Sequence, residues 1–149
     1  MAAQSAIRYV PQQIDRTRAR AWALQVHYRW EVEDRVGSLA DALYATATNR
    51  RIAPARLPYI ERLLVGLDEH GEGVDARLDE ALDNWRMDRL SILDRGVLRI
   101  AAVEILHFED VPPKVSIQEA VRLAERYSGN DSPRFVNGVL DALFKRSAD

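Results

Sequence analysis

The sequence predicts an all-α domain of about seven helices, and three observations carry that expectation. Apolar residues recur at intervals of three and four along most of the chain, helix-start signatures of Ser or Asp precede several of these runs, and no strand-like alternation bounded by hairpin turns occurs. At 149 residues, 47% hydrophobic and 30% charged, the chain has the size and composition of one domain with its own core.

The elements follow in order. Residues 1–14 read as a flexible N-terminal extension with Pro11 as punctuation. Asp15 reads as an N-cap, after which Ala19, Ala23, Val26 and Trp30 draw one apolar stripe until Gly37. Ser38 with Asp41 resembles a capping box without the usual glutamate and opens a short helix through about Thr48. Pro58 suits the first turn of a third helix, whose Ile60, Leu63, Leu64 and Leu67 share a face before Gly71 closes it. Asp75 then caps a fourth helix carrying Leu78, Ala81, Leu82 and Trp85. Ser91 and Asp94 open a fifth that is apolar on enough sides to be central and buried, and it stops at Pro112-Pro113. Ser116 and Glu119 form an S-x-x-E box for a sixth, and Ser132-Pro133 starts a last helix through about Lys145. Gly138, inside that helix, is expected to serve close helix packing, since glycine there costs about 1 kcal/mol relative to alanine.

Several function classes are excluded or left without support. No apolar run reaches the length of a membrane span, and the first residues lack a signal peptide's apolar core, so a cytoplasmic location is expected. The chain has no cysteine, which removes disulfides, thiolate metal sites and cysteine nucleophiles. His27, His70 and His107 have no metal-ligand spacing, and Gly66, Gly71 and Gly73 are not followed by the Lys-Ser or Lys-Thr of a phosphate loop. The acidic run Asp75, Asp79, Glu80 and Asp83 reads as a wet helix face. Neither a catalytic constellation nor a cofactor or metal site can be assembled from spacing, so no enzyme is expected.

Charge is unevenly distributed. In residues 1–30 five arginines oppose one acid, Asp15, giving +4, while the remaining 119 residues hold 16 bases and 22 acids, giving −6. Such asymmetry points to a local polyanion-binding element. Arg16, Arg18 and Arg20 lie at the expected start of the first helix, where the dipole opposes cations by about 0.3–1 kcal/mol each. On a helix they fall at about 0°, 200° and 40°, so they do not share one face. Two readings stand: a solvated first turn, or a fringe that converges on phosphates, whose oxygens match arginine's planar fork. Tyr28, off the apolar stripe, adds an aromatic surface of the kind single-stranded RNA stacks on. A second place is "RYSGNDSPRFVNGVLDALFKR", residues 126–146, where the last helix's N-terminus is flanked by Tyr127 and Phe135. It reads either as a helix-end anion site or as plain capping, with Phe135 in the core and Asp131 paired to Arg134.

The strings "RARAWALQVHYRW", "LDRGVLRIAAVEI", "VPPKVSIQEAVRLAERY" and "DSPRFVNGVLDAL" resemble the NusB (N-utilization substance B) transcription antitermination family over about Arg16 to Lys145. The resemblance implies two packed helical subdomains within a single NusB-like domain, 15–147. It also implies a function: pairing with NusE, a small-subunit ribosomal protein, to bind single-stranded boxA RNA, load an antitermination complex onto RNA polymerase, and support ribosomal RNA transcription and processing. The family's RNA-side positions fall on Arg16, Arg18, Arg20, Tyr28, Tyr127, Asp131, Ser132 and Phe135. Its NusE-side position falls on Asp94, which puts the partner surface around Asp94 and Arg95. A homodimer is compatible with the resemblance, and an alternative is a NusB-like protein-interaction module without RNA binding. A ribosomal RNA cytosine-5 methyltransferase, some of which begin with such a module, needs a catalytic domain beyond this chain's end and a cysteine it lacks. The chain departs from the family pattern at Thr17, which interrupts the arginines, at Pro133, at Gln118, and in a longer N-terminal extension.

Overall fold

The computed structural model describes residues 10–147. Six α-helices follow one another in that span: α1 (Val10–Val32), α2 (Leu39–Asn49), α3 (Leu57–Ala81), α4 (Ile92–His107), α5 (Pro113–Tyr127) and α6 (Ser132–Ser147). Short 3-10 turns at Pro54–Arg56 and Met87–Arg89 precede α3 and α4. No strand occurs among the described residues, and no described helix is long and apolar enough to cross a membrane.

The all-α expectation holds, with one helix fewer than about seven because the expected third and fourth are continuous. Gly71 and Gly73 sit inside α3 instead of ending it. Each costs about 1 kcal/mol of propensity, but the apolar stripe of Ile60, Leu63, Leu64 and Leu67 continues through Val74 and Leu78, all at 4% exposure or less. Tertiary burial of that uninterrupted face outweighs the two glycines. Asp75 is therefore no cap. It pairs bidentately with Arg99 of α4, at 2.9 and 2.7 Å, while Asp79 accepts the Met87 N–H at 2.9 Å. The supposed wet face thus supplies two structural acceptors.

Two other helix starts also move. α1 includes Val10–Ile14, so Asp15 lies within it and pairs with Arg56 at 3.3 Å. Of the expected extension, residues 1–9 lie outside the described residues. α5 begins at Pro113, which leaves Ser116 and Glu119 buried inside the helix. The Ser38–Asp41 capping box forms as read. Asp68 of α3 adds to it by accepting the Leu39 and Ala40 N–H groups at 2.8 and 3.1 Å, satisfying donors that have no partner within α2.

α4 is the central helix, buried without a break from Gly96 to Glu104 and packed against α1, α3, α5 and α6. Gly96 sets its approach to α1: a Cβ there would lie 2.7 Å from Leu24 Cδ1 and 2.8 Å from His27 Nδ1. Gly138 behaves in the opposite way. It is exposed with no atom within 4 Å of a would-be Cβ, so the expected packing role is not found. α1 and α5 flank α4 and are bridged by the side chains of Thr17, Arg20 and Glu119, which leaves an open groove between them.

Candidate nucleic-acid interface

Arg16, Arg18 and Arg20 lie well inside α1, so the dipole argument that singled them out does not apply. Their angular spacing decides their fates instead. Arg16 and Arg20, about 40° apart, turn toward the body of the protein. Arg20 is 3% exposed, and its Nε and Nη1 donate to Glu104 and Glu119, each at 2.8 Å. Burial opposes its charge, yet Glu104 and Glu119 outweigh that and hold its pKa above the ordinary value. Tyr59 donates its hydroxyl to Glu104 and Thr17 donates to Glu119. Arg16 donates to Asp110 at 3.1 Å and lies 4.6 Å over the Tyr59 ring. The same carboxylate is gripped bidentately by Arg62, at 2.6 and 3.0 Å, and its pKa is held well below the usual carboxylate range, chiefly by Arg62. The expected flexible fringe of three guanidinium groups is therefore corrected to one: Arg18 is exposed and, among the described residues, has no ion pair.

Arg18 lines the α1/α5 groove, of about 350 Å³, with Arg122, Arg126 and Tyr127 across from it. Arg122 and Arg126 stand one turn apart on α5 and are both exposed, and the Arg126 guanidinium lies 5.7 Å from the Tyr127 ring centre. The groove opens into a larger trough, of about 870 Å³, that runs along α5 past Gln118 toward Asp110.

A smaller slot, about 260 Å³, opens beside the N-terminus of α6 between Trp85, Arg89, Asp94, Asp131, Ser132 and Phe135. Trp85 is 54% exposed and meets Phe135 edge to face, with ring centres 6.4 Å apart. Ser128 donates its hydroxyl to Asp94 at 2.6 Å and lies 3.1 Å from the Ser132 hydroxyl, so Asp94 is held against the start of α6. Asp131 is exposed and makes no ion pair with Arg134 among the described residues; Phe135 is half-buried.

The fold thus brings Arg18 to Tyr127, and Asp94 to Asp131, Ser132 and Phe135. Tyr28 is exposed, as its wheel position requires, but lines neither the groove nor the slot. Arg95 does not present a free surface. Its side chain is 12% exposed and donates to Glu31 at 2.7 Å and to the Leu90 carbonyl at 2.7 Å, tying α4 to the end of α1. The physical reason is reach: the guanidinium satisfies the carbonyl of the turn just before its own helix. Four residues of the site were not singled out from sequence: Arg122, Arg126, Trp85 and Arg89. Arg122 and Arg126 did carry a signal, since their i,i+4 spacing puts both on one face of α5 ahead of Tyr127.

The NusB family model matches residues 17–145. A curated relative from Chloroherpeton thalassium, "Transcription antitermination protein NusB", is 36% identical over 132 residues, which is 88% of this chain and 62% of the relative. The chain therefore spans less than two thirds of that relative's length. Among solved structures, NusB of T. maritima superimposes with a TM-score of 0.79 at 32% identity, covering 90% of this chain and 93% of the other. Antitermination factors NusB and NusE in complex with double-stranded RNA give a TM-score of 0.77 at 26% identity, covering 89% and 97%.

Proposed function

The chain belongs to the NusB family, and from that membership we propose that it is an RNA-binding transcription antitermination factor. Paired with NusE, it binds single-stranded boxA RNA in nascent transcripts and supports ribosomal RNA transcription and processing. The RNA-bound pair loads an antitermination complex onto RNA polymerase. No step of this needs a catalytic group, metal or cofactor: recognition comes from charge neutralisation and ring stacking.

One observation carries the reading. Exposed guanidinium groups and aromatic rings gather where α5 ends and α6 begins, with Arg18, Arg126 and Tyr127 at the groove and Trp85, Asp131, Ser132 and Phe135 at the slot. A chain with a net charge of −2 that leaves arginines unneutralised beside rings at one place suits a single-stranded polyanion. In this proposal Arg16 and Arg20 shape the surface from beneath, and Tyr28 acts away from the groove. Asp94, at the wall of the slot, is assigned in this proposal to the NusE contact, with Arg95, tied to Glu31 and the Leu90 carbonyl, holding the start of α4.

The test is titration of the full chain, with and without NusE, against boxA RNA and a scrambled strand of the same length. The expected result is tighter binding to boxA, strengthened by NusE. Equal binding to both strands would leave general polyanion affinity, and binding of NusE with no RNA affinity in either state would favour the protein-interaction module. Sedimentation of the same samples reports whether a homodimer forms and whether RNA dissociates it.

A further inference from the structure

The three α1 arginines cannot all serve one RNA strand, because two are already committed. Freeing Arg20 would strand the buried carboxylates of Glu104 and Glu119, and freeing Arg16 would remove one of the two arginines holding Asp110. α5 carries the replacement. Arg122 is 74% exposed, and its partner is Glu119 at a loose 3.6 Å. Arg20 and Thr17 bond to Oε1 of that carboxylate, while Arg122 approaches only Oε2 and makes no hydrogen bond to it, so its guanidinium stays open to the groove. Arg126 is exposed with its guanidinium near the Tyr127 ring. Glu125, exposed one position before Arg126, does not line the groove.

Residues four apart on a helix hold their Cβ atoms about 5–6 Å apart, so Arg122 and Arg126 can engage neighbouring phosphates of one strand. Arg18 faces them from α1 across the gap. Tyr127 closes the end of the same groove nearest to the α6 slot.

We infer that Arg18, Arg122 and Arg126 form the phosphate-binding rail of this chain for single-stranded RNA, with the Tyr127 ring as the platform for a base. Arg16 and Arg20 serve the fold. The inference rests on the RNA-binding function proposed above and assigns that function's electrostatic contact to α5 more than to the arginine-rich start of α1. A single strand fits because its bases are free to stack on a ring while guanidinium groups hold the backbone.

The experiment measures boxA RNA affinity of the full chain as salt rises from 50 to 200 mM. Three neutralised phosphates give a log-log slope of about −2, an affinity loss of about 18-fold over that range. R122Q/R126Q removes two of them, so the slope flattens by about 1.4 and the loss shrinks about sevenfold. R122K/R126K keeps the slope but binds more weakly, because lysine lacks the planar fork. R16Q keeps the wild-type slope. An R122Q/R126Q slope equal to wild type, or an R16Q slope flattened as much as that of the double variant, overturns the rail. A wild-type chain without RNA affinity overturns the proposed function itself and the rail with it. The two failures are distinguished by the wild-type titration alone.

Discussion

Arg20→Met separates a structural arginine from a binding one. The wild-type guanidinium, 3% exposed, holds Glu104 and Glu119 at 2.8 Å each, and Glu104 also takes the Tyr59 hydroxyl. Methionine fills much of the same volume but leaves two buried carboxylates without their cation. Breaking a buried ion pair by removing one partner costs about 3–5 kcal/mol. For a chain of this length each kcal/mol lowers Tm by about 2–4 °C, so the melt should fall by about 6–20 °C. Arg18→Met, on the exposed side of the same helix, should stay within about 0.5 kcal/mol of wild type. The readouts are urea titration and thermal melting by circular dichroism. An Arg20→Met variant as stable as wild type, or an Arg18→Met variant destabilised as much as Arg20→Met, would refute the buried-clamp reasoning.

Further outcomes follow from the same packing. Gly138→Ala should stabilise by up to about 1 kcal/mol, since a Cβ there meets nothing within 4 Å. Gly96→Ala should destabilise by about 1–3 kcal/mol, because its Cβ would press on Leu24 and His27; comparative melts of the two variants check both signs. Stability should also fall on mild acidification. Burial and Arg99 lower the His27 pKa to about 4, and Arg99 donates to its Nε2 at 3.0 Å, which puts the ring proton on Nδ1. The unfolded histidine protonates first, so stability present above pH 6.5 is lost between about 6.5 and 4, by about 3 kcal/mol in total. His27→Gln keeps an acceptor for Arg99 and should abolish that slope in a urea series across pH. Below pH 4.5, wild type should lose further stability as Glu31 titrates. Bonds from Arg95 and Arg35 hold its pKa down to about 2 against the opposing effect of burial.

The fold was legible where local chemistry and tertiary burial agree. The Ser38–Asp41 box, Pro58 in a first turn, the Ser91 cap and the all-round apolar α4 could each be read from spacing. It was illegible where burial overrides a local signal. Gly71 looks like a terminator until the stripe from Leu67 to Leu78 is seen to be buried as one face. Ser116 and Glu119 mimic a helix start because their spacing fits a cap, yet in the fold Glu119 accepts from Arg20, ninety-nine positions away. The candidate site divides in the same way. The helix-end pattern marks Tyr127, Ser132 and Phe135, the family resemblance adds Asp131, and the fold gathers the four around the α5–α6 junction. The arginine cluster misled because a charge run does not say which members meet carboxylates from distant segments: Arg16 finds Asp110, Arg20 finds Glu104 and Glu119, and Arg18 is left over. Period alone extends the helix of Leu78, Ala81 and Leu82 to Trp85, but α3 ends at Ala81, which releases the indole to the slot.

Chemical-shift mapping of the isotopically labelled full chain bound to boxA RNA tests the proposed interface most directly. The largest shifts should fall on the side chains of Arg18, Arg122 and Arg126 and on the rings of Tyr127 and Phe135, with the stacked His70–His107 pair on the α3–α4 face unmoved. Shifts centred on that histidine face, with the α1/α5 groove silent, would contradict it.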